Sequence, residues 1–293
     1  MKNILIVHDI SCYGKCSSTV ALPILAMMEL AGTLLPTSLL STHTGPGFEG
    51  YTYLDLSDEM AKIVGHWQSF GLKFDAVYVG YLGSIEQIDF LIEKLPQLIK
   101  AGGKIYLDPV MADQGKFYPG FDEAYAKAMR KLCDIADVIM PNQTEAAFIY
   151  DLPYQEGLAG YQSAKDLAAL INQDSDQPTS LVLTGVGYDG DQQTGAYYYD
   201  ADNETEGLIQ ADFVGGLFHG TGDIFASIFV GARENGASLK ASTALAVETL
   251  PKILQASIDN PNIHQDGLNF EKACPDLNRF VHELKNWFLS LGN

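Results

Sequence analysis

The chain contains 293 residues, 47% of them hydrophobic, which suits one large α/β domain with a sizeable core. The formal net charge of −19 argues against a nucleic-acid partner, because no basic block offsets the acidic residues. No apolar run is long enough to span a membrane, and the first residues predict a strand rather than a signal peptide, so we expect a cytoplasmic protein with free thiols.

In the first half of the chain, apolar runs typical of buried strands alternate with amphipathic segments typical of helices. The predicted strands cover residues 4–7, 34–40, 76–79 and 104–107, and the predicted helices cover about 17–31, 57–70, 85–100 and 122–132. Ser57 is expected to cap the second helix, and Gly102 with Gly103 is expected to end the third. Residues 112–120 are rich in glycine, proline and polar side chains and predict a loop.

The second half continues this alternation and then changes it. Strands are predicted at 138–140 and 180–183, an antiparallel pair at 194–200 and 207–210, and helices at about 163–172, 221–235, 239–258 and 277–291. Repeated βα units predict a three-layer α/β/α fold, in which helices cover both faces of a mostly parallel central sheet. No repeat or linker divides the chain, so we expect one domain over residues 1–293.

The stretch from Gly215 to Ser227 predicts a glycine-rich loop that runs directly into a helix. Such a helix start directs unpaired N–H groups and the positive end of the helix dipole at one spot, which suits a phosphate. Asp223 lies in the first turn, where a carboxylate can remove a proton from a hydroxyl that attacks a phosphoryl group. The alternative is a plain helix start, in which Thr221 is the N-cap and the dipole alone favours Asp223.

Many further polar side chains follow the predicted strands directly. They are Asp9, Ser11, Thr42, His43, Thr44, Tyr81, Asp108, Asp113, Asn142, Glu145 and Thr184. Because ligands of such sheets bind beyond the carboxyl ends of the strands, we expect these side chains to share one rim. Together with the glycine-rich helix start, they favour a phosphoryl transferase that acts on a small hydroxyl compound.

Four of these residues fit a site for phosphates and a metal. Asp108 and Asp113 provide carboxylates that could face phosphates through Mg²⁺, although Asp108 could simply cap the end of its strand and Asp113 could be a solvated loop residue. Asn142 is a good N-cap, and Glu145 at the third helical position completes a capping-box pattern. A role of Glu145 near magnesium and of Asn142 near phosphates is compatible with that cap.

Four others fit the pocket of a small polar substrate. Asp9 and Ser11, in the predicted loop after the first strand, could hydrogen-bond such a substrate. His43 could contact the substrate or hydrogen-bond a neighbouring turn. Tyr81, between two glycines, could stack on a flat ring or simply pack half-buried.

Six motifs carry a resemblance to a known family. They are Tyr13-Gly14, Ser41-Thr42-His43-Thr44, Gly80-Tyr81-Leu82-Gly83-Ser84, Asp108-Pro109-Val110-Met111, Pro141-Asn142-Gln143-Thr144-Glu145 and Gly220-Thr221-Gly222-Asp223. Over nearly its whole length, the chain resembles the ribokinase-like superfamily and, within it, the bacterial pyridoxal/pyridoxamine (vitamin B6) kinases.

The resemblance implies that ATP phosphorylates the 5′-hydroxymethyl group of pyridoxal, pyridoxine or pyridoxamine. The implied sites in this sequence are Asp223 as the general base; Gly220, Thr221 and Gly222 as an anion hole; Asp108, Asp113, Tyr118, Asn142 and Thr184 at ATP; Glu145 and Asp108 at Mg²⁺; and Thr44 and Tyr81 at the vitamer. Residues 112–120 are implied to form a flap over the ATP phosphates. A homodimer is also implied, and K⁺ is a second candidate ion.

The sequence departs from the family pattern at two positions. Asp9 stands where many relatives carry serine, and His219 precedes Gly220 where a related group of pyrimidine/pyridoxal kinases carries cysteine. Because of these two departures, it stays open which vitamer is preferred and whether hydroxymethylpyrimidine is accepted. The alternatives are therefore a hydroxymethylpyrimidine or sugar kinase of the same fold and, in another class, a non-catalytic nucleotide- or B6-binding protein. An intact Asp223 favours an enzyme.

Overall fold

The computed structural model describes residues 1–45, 47–155, 157, 159–173, 177–187, 192–216 and 218–291. The strands are β1 Asn3–Ser11, β2 Ala31–Leu40, β3 Tyr53–Asp55, β4 Phe74–Val79, β5 Ile99–Leu107, β6 Ala112–Asp113, β7 Lys116–Phe117, β8 Val138–Ile139, β9 Ser180–Val186, β10 Gln193–Asp200 and β11 Thr205–Asp212. The α-helices are α1 Ser18–Met27, α2 Ser57–Ser69, α3 Ile85–Leu98, α4 Glu123–Cys133, α5 Gln143–Ile149, α6 Tyr161–Asn172, α7 Thr221–Glu234, α8 Leu239–Ser257, α9 Ile263–Asp266 and α10 Cys274–Leu291.

Within the described residues, nine strands form one sheet in the order β11-β10-β9-β8-β5-β4-β1-β2-β3. The six strands from β9 to β2 pair in parallel, whereas β10, β11 and β3 are antiparallel additions at the two edges. The predicted α/β fold with a mostly parallel sheet is therefore confirmed. The predicted antiparallel pair is confirmed as β10 and β11, while the short edge strand β3 was not predicted.

Alternating side chains of β1 divide the core into two layers. Leu5 and Val7 pack on one face with residues of α2, α3 and α4, whereas Ile4 and Ile6 pack on the other with residues of α1, α7 and α8. All four side chains are fully buried. Burial of each contributes about 1.5–3 kcal/mol, which explains why a continuous apolar run forms the central strand.

The predicted ends of two helices were wrong because strand pairing overrides local propensity. Helix α1 ends at Met27, and residue 31, predicted as helical, begins β2. Helix α3 ends at Leu98, so Gly102 and Gly103 lie inside β5 rather than after a helix. A Cβ on Gly103 would lie 2.6 Å from the carbonyl oxygen of Asp75, so this glycine permits close approach of the strands.

Two local features also differ from the prediction. Ser57 is the first residue of α2 rather than its N-cap, and its N–H donates to the Asp55 carboxylate at 2.8 Å. The predicted loop 112–120 contains the hairpin formed by β6 and β7. Among the described residues, no helix is both long enough and apolar enough to cross a membrane.

Candidate active site

A cleft of about 1300 Å³ opens at the carboxyl edge of the sheet, between the β6–β7 hairpin and the starts of α5 and α7. The predicted site residues that line it are Asp108, Asp113, Tyr118, Asn142, Glu145, Thr184, Gly220, Thr221, Gly222 and Asp223. The structure thus brings together all the residues predicted for ATP, the anion hole, the metal and the base. Their roles stay predictions. The five residues predicted for the substrate, Asp9, Ser11, His43, Thr44 and Tyr81, do not line this cleft.

Helix α7 begins where the glycine-rich stretch predicts it, with Leu217 of that stretch outside the described residues. Gly220 is the N-cap in a left-handed conformation with φ of 77°. A Cβ on it would lie 2.9 Å from the Lys15 carbonyl oxygen, so the close approach of a neighbouring loop also requires glycine. Thr221 is the first helical residue, so the alternative in which it caps the helix is wrong. First-turn amides have no partner within an α-helix and can serve an anion in the cleft.

Both carboxylate oxygens of Asp223 are held by the protein. Oδ2 accepts the backbone N–H of Ser17 at 2.7 Å, and Oδ1 lies 3.1 Å from Nε2 of His8. The side chain is 12% exposed, so it can still reach a molecule in the cleft. Asp223 is therefore both oriented and accessible, as a general base must be.

The loop that presents the Ser17 N–H is strained. Gly14, Lys15 and Ser17 have φ angles of 107°, 46° and 56°. For residues with a side chain this conformation costs roughly 1–2 kcal/mol each, and it persists only when neighbours hold it in place. Here Lys15 forms an ion pair with Glu271 at 2.9 Å, and Ser17 bonds Asp223.

Asp108 is a buried carboxylate near Asp223. Its side chain accepts no hydrogen bond from any described residue, and Oδ2 lies 3.9 Å from the position that a Cβ on Gly222 would take. Burial, together with the negative charge of Asp223, raises the pKa of Asp108 to about 7. A nearby cation would stabilise the charged form of such a buried carboxylate.

Asn142 and Glu145 form the predicted capping box at the start of α5. The Asn142 side-chain oxygen accepts the N–H groups of Thr144 and Glu145 at 2.8 and 2.9 Å, and Glu145 Oε2 accepts the N–H of Asn142 at 2.8 Å. The same two side chains bond Ala112 and Met111, so they also anchor the base of the β6–β7 hairpin. Burial and the nearby Asp108 charge raise the pKa of Glu145 well above its usual value.

The described residues contain no group of three or more His, Cys, Asp or Glu side chains arranged to hold a metal ion. Asp108 and Glu145 are nevertheless two buried oxygen donors on one side of the cleft. Mg²⁺ commonly binds through one or two carboxylates together with water and substrate phosphates. The donor set therefore fits a magnesium ion that arrives with a nucleotide.

The β6–β7 hairpin covers one side of the cleft. Gln114 and Gly115 have φ angles of 50° and 73° and form the two-residue turn that such a hairpin favours. The Gly115 N–H donates to Thr144 Oγ1 at 3.0 Å, which ties the turn to α5. Asp113 and Tyr118 are exposed at this edge, in positions compatible with the implied flap.

Asp9 and Ser11 lie within β1, so their predicted position in a loop was wrong. Asp9 is only 4% exposed; its Oδ1 lies 3.0 Å from Nδ1 of His8, and its Oδ2 accepts the Ser11 hydroxyl at 2.9 Å. Burial alone lowers the pKa of His8, but hydrogen bonds with Asp223 and Asp9 outweigh it and raise that pKa to about 10. Contact of Asp9 with a substrate stays a prediction that competes with these internal bonds.

His43 is hydrogen-bonded within its own turn and to the backbone of His264, and its contact with a substrate stays a prediction. Its Nδ1 accepts the N–H of Gly45 at 3.0 Å, and its Nε2–H donates to the His264 carbonyl at 3.3 Å. The ring of His219 lies 5.0 Å from that of His43, measured between centroids. Burial lowers the pKa of both imidazoles, which favours their neutral forms beside the glycine-rich helix start.

The remaining two predicted substrate residues differ in burial. Tyr81 is half-buried, with its ring 5.6 Å from that of Phe121, and Thr44 is exposed. The ring of Tyr81 therefore has a packing partner within the protein, and stacking on a substrate stays a prediction.

Sequence reasoning missed His8 and Ser17, which contact the predicted base directly. The available signal for His8 was a histidine, followed by aspartate, directly after the first apolar run. Ser17 contributes a backbone group, for which the sequence carries no signal.

Comparisons with known proteins extend this description. The family model for phosphomethylpyrimidine kinase matches residues 53–266. The pyridoxal kinase PdxY of Corynebacterium diphtheriae is 24% identical over 236 residues, which cover 78% of this chain and 80% of the relative. Two crystal structures each align with 94% of this chain and 96% of the matched chain. The pyridoxal kinase of Lactobacillus plantarum has 30% identity and a TM-score of 0.86. A protein of Bacteroides thetaiotaomicron, described as a phosphomethylpyrimidine kinase and crystallised with pyridoxal, has 33% identity and a TM-score of 0.87.

Proposed function

This chain belongs to the phosphomethylpyrimidine kinase family, and within that family we propose that it is an ATP-dependent pyridoxal kinase. It transfers the γ-phosphoryl group of ATP to the 5′-hydroxymethyl group of pyridoxal, pyridoxine or pyridoxamine. Relatives named pyridoxal kinases, and the structural neighbour crystallised with pyridoxal, support the choice of substrate.

One observation carries the proposal: Asp223 stands in the first turn of α7, held by two hydrogen bonds and open to the cleft. Phosphoryl transfer depends mainly on positioning and on stabilising charge, and little on covalent chemistry by the protein. An oriented carboxylate beside free helix amides meets both needs. A protein that only binds nucleotide has no use for a base at that position.

In the proposed reaction, the substrate hydroxyl oxygen attacks the γ-phosphorus in line and its proton passes to Asp223. The bond between the γ-phosphorus and the bridging oxygen breaks, and ADP leaves with the electron pair. The amides of Thr221, Gly222 and Asp223 stabilise the negative charge that develops on the transferred group. The β6–β7 hairpin excludes water from the phosphates.

We also propose that Mg²⁺ binds with ATP near Asp108 and Glu145, where it neutralises charge on the phosphates. The two buried carboxylates with raised pKa values support this assignment. We expect EDTA to abolish turnover and added magnesium to restore it. Full turnover in EDTA would contradict the assignment of both carboxylates.

The homodimer is a proposal that the family resemblance supports, and a cytoplasmic location and a role for K⁺ are further proposals. Light scattering on the purified protein tests the first, because a homodimer has twice the chain mass of 31.9 kDa. Turnover in potassium and in sodium buffers tests the last.

The experiment that tests the function is ADP release from ATP–Mg²⁺, measured in parallel with each of the three B6 vitamers and with hydroxymethylpyrimidine. We expect turnover with at least one vitamer. Turnover with the pyrimidine alone would agree with the proposed base but contradict the choice of a B6 vitamer as substrate. Nucleotide binding without ADP release in the presence of any of these alcohols would favour the alternative of a non-catalytic binding protein.

A further inference from the structure

His8 joins two carboxylates at the edge of the sheet where the cleft opens. Its Nε2 lies 3.1 Å from Oδ1 of Asp223, and its Nδ1 lies 3.0 Å from Oδ1 of Asp9. The side chain is 1% exposed. Asp223 lies 215 residues away in the chain, so this contact exists only through the fold.

The neighbouring strand leaves space for this imidazole. Gly80 follows β4 directly, and a Cβ at this position would lie 2.3 Å from Nε2 of His8. No side chain at residue 80 could coexist with the ring in its present place. The glycine therefore permits the contact between His8 and Asp223.

The hydrogen on Nε2 can be assigned from the partners of the ring. A carboxylate only accepts hydrogen bonds, so Nε2 must donate to Asp223. If the ring is doubly protonated, Nδ1 donates to Asp9. If it is neutral, Nδ1 accepts the backbone N–H of Asp9, which lies 3.1 Å away, and the hydrogen is again on Nε2. In both states the Nε2–H bonds Asp223.

We infer that His8 is a positioning residue for the base: its Nε2–H and the Ser17 N–H together fix the carboxylate of Asp223, and Asp9 orients His8 rather than the substrate. The inference rests on the proposed function only in treating Asp223 as the base. Each oxygen of Asp223 receives one of these two bonds, so the carboxylate cannot rotate without losing both. The alcohol then meets a base whose direction is already set.

Two substitutions separate the hydrogen bond from packing. His8→Leu fills similar space without a donor, whereas His8→Gln retains a side-chain N–H at about the same reach. Because a hydrogen bond to a charged group is lost, we expect His8→Leu to lower kcat about 10- to 100-fold with little change in the KM for ATP. We expect His8→Gln to recover most of that loss. His66→Leu, on the exposed face of α2, is the matched control and should keep wild-type kcat.

A double-mutant cycle with Asp223→Ala tests whether His8 acts through the base. If it does, His8→Leu should change the residual rate of Asp223→Ala by less than about twofold, because no carboxylate remains to be positioned. Equal losses in both backgrounds would assign His8 a structural role and overturn the inference. Wild-type kcat in His8→Leu would also overturn it.

The contact can be tested without substrate. In protein with labelled histidine, we expect a low-field proton resonance from the His8 Nε2–H that shifts or disappears in Asp223→Ala. If wild-type protein turned over no vitamer, the proposed function would fail, and this resonance alone would decide the inference. A resonance unchanged by Asp223→Ala would overturn it.

Discussion

Replacing Asp108 with asparagine is expected to stabilise the protein at pH 8 when metal and nucleotide are absent. Asp108 is 6% exposed, lies beside Asp223 and receives no hydrogen bond from the described residues. Asparagine has nearly the same shape and carries no charge. The substitution therefore removes a buried negative charge that no described residue stabilises by a hydrogen bond and that the nearby His8 charge offsets only in part.

The magnitude follows from the pKa of Asp108, which folding raises from 3.8 to about 7. The folded protein holds this proton more tightly than the unfolded chain, so wild-type stability falls as the pH rises through that window and is constant above it. The full shift corresponds to about 4 kcal/mol. Asparagine does not titrate, so its stabilising effect should grow from about 1.5 kcal/mol at pH 5 to about 4 kcal/mol at pH 8.

The assay is urea unfolding of wild type and Asp108→Asn in EDTA at both pH values. Asp113→Asn serves as a control, because that carboxylate is exposed on the hairpin. Added Mg²⁺ should stabilise wild type more than Asp108→Asn at pH 8. If Asp108→Asn changed the free energy of unfolding equally at pH 5 and pH 8, the interpretation of Asp108 as a buried carboxylate with a raised pKa would be refuted.

Three further substitutions address the base, the anion hole and the cap. Asp223→Asn should lower kcat by about 10²–10⁴-fold while the melting temperature stays near that of wild type, and near-full activity would remove Asp223 from the role of base. Gly220→Ala forces a side chain into a left-handed conformation against the Lys15 carbonyl, so steady-state kinetics should show about 100-fold lower turnover; unchanged turnover would contradict the anion hole. Asn142→Ala removes the α5 cap and should cost about 1–2 kcal/mol in urea unfolding, and an unchanged midpoint would contradict the capping box.

The fold was predictable because its signals are local and repeated. Buried strands such as β1 appear as apolar runs, the Asn142 cap marks the start of α5, and the glycine-rich loop marks the start of α7. Boundaries failed where pairing between distant strands decided them. Ser11 is polar and resembles a loop residue, yet it pairs with Leu40 of β2, and Gly102 resembles a helix stop although it lies in β5.

The candidate site was predictable where one stretch of sequence carries both the backbone geometry and the reactive group, as around Asp223. The contacts that hold Asp223 in place were not predictable. The bond from His8 to Asp223 spans 215 residues, and the amide of Ser17 depends on a positive φ that the residue type does not indicate. Asp9 was assigned to the substrate because it follows a strand, whereas the structure places both of its oxygens on protein partners.

Identification of the reaction product tests the central claim most directly. Purified protein is incubated with pyridoxal and ATP labelled at the γ-phosphorus, and the labelled product is separated and identified by mass. We predict that the label appears in pyridoxal 5′-phosphate in proportion to the ADP formed. Label that remains in ATP, or appears only as inorganic phosphate, would contradict the proposed activity.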